Sequence, residues 1–132
     1  MTNAVRALIA LRLGVATLLF IHGAYRVYDN GPPGFGEWLS SQGLPFGLAI
    51  AWAVTIMEVA GTLVLASGRL VPYLALYFTT VLTVGIILIH GKEGWFVVGG
   101  GRNGMEYSVL LILALLVTAC ADRDIRTRRS KA

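Results

Sequence analysis

The sequence predicts an all-α integral membrane protein: a four-helix bundle with both termini cytoplasmic and two Gly-rich outer loops. Three observations carry this. The 132 residues are 56% hydrophobic and only 14% charged, with a mean hydropathy of +0.72. A soluble domain averages about 45–50% apolar and about 25% charged. The apolar residues gather into four runs, at about 5–28, 46–66, 70–89 and 105–121. A helix of about 20 residues, rising about 1.5 Å per residue, crosses a hydrocarbon layer of about 30 Å. Finally, Lys and Arg are unevenly divided between the two ends of these runs, eight against three.

The first run contains Arg6 and Arg12 and continues through Phe20-Ile21 into His22-Gly23-Ala24-Tyr25-Arg26. It lacks a small-x-small cleavage site, so it reads as a span and not as a removable signal peptide. Residues 29–45 hold Pro32-Pro33 and four of the sixteen glycines, which rules out a continuous helix. Within them Phe35, Trp38 and Leu39 recur at helical spacing, predicting a short interfacial helix. The second run, 46–66, carries Glu58 near its middle. The connection Ser67-Gly68-Arg69 is so short that the second and third spans must be antiparallel neighbours. Residues 90–104 form the second Gly-rich loop, with Trp95-Phe96 at its centre, and the fourth run follows.

The tail, 122–132, is basic. Five of the eleven Lys and Arg residues fall between Arg123 and Lys131. A basic segment directly after an apolar span reads as a cytoplasmic anchor at anionic headgroups, so the pI near 9.6 does not indicate nucleic acid. Arg6, Arg12 and Arg69 lie on the same side as the tail, whereas Arg26, Lys92 and Arg102 lie on the other. The positive-inside rule therefore places the long loops, with Trp38 and Trp95, outside. The whole chain reads as one domain. Cys120 is the single cysteine, so no internal disulfide can form. The spans containing His22-Gly23 and His90-Gly91 both lead into a Gly-rich loop with a Trp, a faint internal repeat.

Polar residues inside the spans are the candidate functional groups. A carboxylate facing lipid at the depth of Glu58 costs about 2.5–3.5 kcal/mol or more. Glu58 should therefore face protein, find a cation or hydroxyl, or hold a proton. At about 100° per residue, Arg12, His22 and Arg26 fall within an arc of about 80°. Counting rise from the cytoplasmic ends puts Arg12 about 7 Å deep and Glu58 about 13 Å deep, within reach of an arginine. Either Arg12 or Arg26 is a candidate partner. Nearer the outer end lie His22, Arg26, His90 and Glu106, the last in a first helical turn that suits a carboxylate. The bland alternatives are snorkelling for Arg12, interfacial positions for Arg26 and His90, and a first-turn acid for Glu106.

Two histidines on parallel helices raise a bis-His haem b, which the position of His90 at the bilayer edge disfavours. No metal site is expected, because His22, His90 and Glu106 show no ligand spacing. The run Gly99-Gly100-Gly101-Arg102-Asn103-Gly104 does not fit a nucleotide fingerprint and reads as a turn.

Over nearly its whole length the chain resembles the DoxX family of small four-helix bacterial membrane proteins. The resemblance rests on Arg12-Leu13-Gly14, His22-Gly23 with Arg26, Phe35, Leu39 and Gly43-Leu44-Pro45. It continues in Glu58, Gly61 and Gly68, in His90, and in Gly99-Gly100 before Glu106. The chain departs from the family after the fourth span, where Ala119-Cys120-Ala121-Asp122 replaces a glycine-containing ending. The resemblance implies a subunit of the bacterial inner (cytoplasmic) membrane associated with redox chemistry, as in membrane thiosulfate:quinone oxidoreductase and oxidative-stress complexes.

Residues and resemblance together suggest a quinone-type ligand. Glu58 and His22 would be the reactive groups, and Arg12, His22, Arg26, Glu58, His90 and Glu106 would line the pocket. Expected partners are membrane lipid, other protein subunits or further copies of the chain, and a small redox ligand. Two rival readings are a non-catalytic membrane anchor or assembly partner and a small-solute or proton pathway.

Overall fold

The structure is a computed structural model that describes residues 2–129. Its helices are α1 (Asn3–Tyr28), α2 (Pro32–Ser41), α3 (Gly47–Ala66), α4 (Val71–His90) and α5 (Glu106–Arg129). No strand occurs among the described residues. Among these residues α1, α3 and α4 are long and apolar enough to cross a membrane. The apolar part of α5, residues 107–121, measures only about 22 Å at 1.5 Å per residue. The expected short loop helix is present as α2, with prolines opening it where no helical N–H is lost.

The chain forms two compact units, Ala16–Arg69 on the one hand and the residues up to Val15 with those from Leu70 onward on the other. In the first unit, α2 packs on α3 through two glycines. A β-carbon at Gly36 would lie 2.6 Å from the Leu48 Cα, and one at Gly47 would overlap the Gly36 carbonyl and the Ser40 side chain. Only backbone without side chains can approach this closely. Leu39 of α2 is buried, and α3 buries Ala51, Val54 and Leu65.

Halfway along α3, Met57–Gly61 form a π-helical turn. A π turn widens the helix and disturbs its regular hydrogen bonds, and such turns favour functional positions. Here the Thr62 hydroxyl turns back onto the Glu58 carbonyl, at 2.5 Å, and the Val59 carbonyl, at 3.1 Å.

In the second unit α4 lies against α5. Val71, Leu74, Ala75 and Phe78 of α4 are buried, as are Leu111 and Leu115 of α5. α4 ends in another π turn, Ile86–His90. Helix α5 continues beyond the apolar run into the expected tail. Leu111, Leu115, Thr118, Asp122 and Ile125 are all buried and share one helical face. Asp122 also accepts a bond from Arg126 one turn later, at 2.7 Å. Thus the start of the tail is helix with a packed side. Lys131 and the side chains of Arg123, Arg128 and Arg129 lie outside what the structure describes.

Candidate functional site

Glu58 is the centre of the first unit. It sits in the π turn of α3 with only 7% of its side chain exposed, and its Oε2 accepts a bond from Arg26 Nη1 at 2.5 Å. The same nitrogen reaches the Thr55 hydroxyl at 3.3 Å. Thr55 in turn donates to the Ala51 carbonyl at 2.7 Å, so its oxygen presents lone pairs to the cation. The guanidinium lies over the Phe35 ring of α2, 4.8 Å from its centroid. Phe35 stacks with Trp38, at 6.2 Å between centroids and 13° between planes. A cation over an aromatic face adds about 0.5–2 kcal/mol, more as water is excluded.

Glycine permits this closeness. A β-carbon at Gly23 would stand 2.5 Å from the Glu58 Cβ and 3.2 Å from its carbonyl carbon. Gly31 lies against the Arg26 stem, and its amide donates to the Arg26 carbonyl at 2.9 Å. Gly23 meets Glu58 and Arg26 meets Thr55, so α1 and α3 run antiparallel here.

This register corrects the depth estimate that brought Arg12 toward Glu58. That estimate assumes that the helices begin and end at equal heights. With Gly23 level with Glu58, α1 ends about 7 Å beyond the acid, whereas α3 begins about 16 Å beyond it. The short C-terminal end of α1 is where α2 folds in, bringing Phe35 onto Arg26.

The other candidates take different places. Arg12 is 4% exposed and belongs to the second unit. Val5, Arg12, Leu19 and Arg26 are spaced by seven and form a stripe along the sheltered side of α1. His22 lies at the margin of the predicted arc and is exposed. In the second unit, His90 Nδ1 is 2.8 Å from the Asn103 carbonyl oxygen. Glu106 Oε1 accepts from the Val97 amide at 2.8 Å, tying the Gly-rich loop to the first turn of α5. Among the described residues, no three His, Cys, Asp or Glu side chains gather as a metal site.

Sequence reasoning singled out the acid and left Arg12 and Arg26 as alternative partners, and it did not find Thr55, Thr62 or Asn103. Threonines bonded to their own helix carry no sequence signal that separates them from ordinary helical threonines. The glycine at 23 could have been found as a small residue one turn before Arg26, on a face already marked as polar.

Compared with known families, the chain matches DoxX over residues 7–91. The chain belongs to the DoxX family. No curated protein and no solved structure matches the chain. The DoxX match covers Arg12, His22, Arg26, Glu58 and His90, and it stops before Asn103 and Glu106. With three helices of spanning length, this DoxX chain is a membrane protein whose ion pair lies within apolar helices.

Proposed function

We propose that this DoxX protein is a redox-associated membrane subunit that binds a quinone-type headgroup at the Arg26–Glu58 pair. One observation carries the reading. Both Arg26 hydrogen bonds leave from Nη1, so the N–H groups of Nη2 and Nε have no acceptor among the described residues. A guanidinium has five donors, and a ring carbonyl oxygen needs such donors. Glu58 bonds through Oε2, which leaves Oε1 to hold or release a proton at a ring oxygen. His22, exposed four residues before Arg26, is the second proton-handling group. A bound quinone supplies two-electron chemistry. The chain's own residues bind it, orient it and move a proton, while apolar helix faces hold an isoprenoid tail.

In this proposal the apolar part of α5 is a fourth span. The eight-to-three division of Lys and Arg puts both termini in the cytoplasm, in a bacterial inner membrane. Electrons come from a partner redox subunit, so the protein works within a complex or an oligomer.

The test is titration of purified protein in nanodiscs with a short-chain quinone. Losing one charge-assisted hydrogen bond removes about 1.5–3 kcal/mol. Arg26→Gln should therefore weaken binding about ten- to a hundredfold, and Glu58→Gln should change its pH dependence. Arg26→Lys keeps one bond to Glu58 but loses the further guanidinium donors, so it should fold normally yet bind the quinone poorly. Absence of binding, or binding indifferent to all three variants, removes the proposal.

A second reading is a non-catalytic anchor in which the pair fixes helix register. The close crossing at Gly23 favours it, since register there is set by one glycine and one acid. In that case Arg26→Lys would leave partner assembly and partner chemistry intact.

A further inference from the structure

The residues from Leu70 onward hold a second polar arrangement. α4 closes with the π turn Ile86–His90, and the Gly91 amide donates to the Ile86 carbonyl at 2.7 Å. The turn lays the imidazole back along Gly85, where an added β-carbon would be 3.8 Å from His90 Cδ2. Cδ2 of the ring thus faces a residue with no side chain. The other edge is held by Asn103, whose carbonyl oxygen is 2.8 Å from Nδ1. A carbonyl can only accept, so Nδ1 carries the proton. In the neutral ring Nε2 then bears a lone pair. It has no hydrogen-bond partner among the described residues, and the ring is half-buried.

The loop is built to aim that carbonyl. Asn103 is left-handed, with φ 60°, a conformation asparagine tolerates better than most residues. Next to it the Gly104 amide donates to the Phe96 carbonyl at 3.1 Å, and a β-carbon at Gly104 would lie 2.5 Å from the Trp95 and Phe96 backbone. The Met105 and Glu106 amides donate to the Gly94 and Trp95 carbonyls, both at 3.0 Å. The Glu106 carboxylate closes the ladder on the Val97 amide. Asn103 is therefore held by this ladder on its C-terminal side, and its carbonyl selects one histidine tautomer.

We infer that His90 is a hydrogen-bond acceptor site for a ring hydroxyl, and that it takes the reduced, hydroquinone form of the ligand. The ligand class rests on the quinone reading above; the acceptor character does not. Arg26 offers donors, which suit the carbonyl oxygens of the oxidised ring. A neutral imidazole with Nδ1 already committed offers only an acceptor, which suits a hydroxyl. A metal is the poorer occupant, because no cluster of three ligating side chains occurs among the described residues. Asn103 and Glu106 are positioning residues: they hold the tautomer and do not touch the ligand.

The experiment uses the full chain in nanodiscs with 15N-labelled histidine. The chain has two histidines, and the resonance lost in His90→Gln identifies the one in question. The Nδ1–H tautomer is expected to dominate; one such hydrogen bond biases the two forms roughly two- to twelvefold. A short-chain hydroquinone kept under reductant should move the Nε2 resonance saturably, and the oxidised quinone should not. His90→Gln should weaken hydroquinone binding by a similar factor. Gly85→Val should block binding while preserving the Nδ1–H signature, which a merely structural histidine would not show. A dominant Nε2–H tautomer overturns the inference, as does an Nε2 resonance that stays still while hydroquinone binds. Binding that moves His90 but ignores Arg26→Gln and Glu58→Gln upholds this site and removes the function proposed above. Absence of binding in both redox states removes both.

Discussion

Replacing Arg26 and Glu58 by leucine, singly and together, separates the attraction between them from the burial each requires. Their side chains are 15% and 7% exposed, so both charges lie away from water. Removing one member of a buried pair costs about 3–5 kcal/mol, because the other remains uncompensated. Glu58→Leu should reach that range, since a guanidinium stays charged. Arg26→Leu should fall at its lower end, because a carboxyl without its cation can hold a proton. Removing both leaves apolar groups against apolar groups, and such replacements are often neutral or stabilising. The double variant should therefore be at least about 2 kcal/mol more stable than the sum of the single losses implies. Glu58→Gln still offers an oxygen to Nη1, but the bond is about half as strong, and the loss should be about 1–2 kcal/mol. Reversible unfolding in mixed maltoside and dodecyl sulfate micelles, followed by circular dichroism, measures all four. Single effects that add to within about 0.5 kcal/mol in the double variant would refute a direct pair.

Gly23→Ala puts a methyl 2.5 Å from the Glu58 Cβ, so α1 must retreat about 1 Å; overpacking of this kind costs about 1–3 kcal/mol in the same unfolding assay. Thr62→Val keeps the shape but withdraws the hydroxyl from the Glu58 carbonyl, and hydrogen exchange at residues 59–63 should quicken with a loss of about 1–2 kcal/mol. Gly104→Ala collides with the Trp95 and Phe96 backbone, and limited proteolysis should cut within 92–104 far faster while helical content is kept. Phe35→Leu removes the aromatic face above Arg26, and stability should fall by about 0.5–2 kcal/mol, a loss that disappears in an Arg26→Leu background.

Helix positions were legible because apolar length is a coarse signal. The spans expected at 46–66 and 70–89 match Gly47–Ala66 and Val71–His90 closely. The reach of α5 to Arg129 was not legible. Its continuation depends on burying Asp122 and Ile125, and a basic, polar stretch hides a two-residue packed stripe. At the site, Glu58 stood out because an acid in an apolar run has few cheap environments. Its partner did not, since Arg12 and Arg26 lie on one face of α1 and differ only in height. Height is decided by where α1 stops, and that depends on α2 folding inward through the Gly36–Gly47 crossing. No local pattern in α1 carries that information. The two π turns were equally invisible, since their sequences, MEVAG and IILIH, look like ordinary helix.

The form of the ion pair bears on what it is for. An arginine and a carboxylate that only fasten two helices do best as a fork, with two parallel bonds. Here the contact uses a single nitrogen and a single oxygen, and that nitrogen also serves Thr55. The π turn sets the carboxylate's aim, and Phe35 occupies a face of the guanidinium. Each of these features turns the pair away from the fork without breaking it. A one-bond pair is weaker as a fastening, yet it keeps donors and an oxygen free for exchange with a third polar group. The close crossing at Gly23 already brings the helices together at this spot, which lets the pair depart from its strongest geometry. The glycine crossing thus contributes to the register, and under the proposed function the donors and the oxygen left over would serve the ligand.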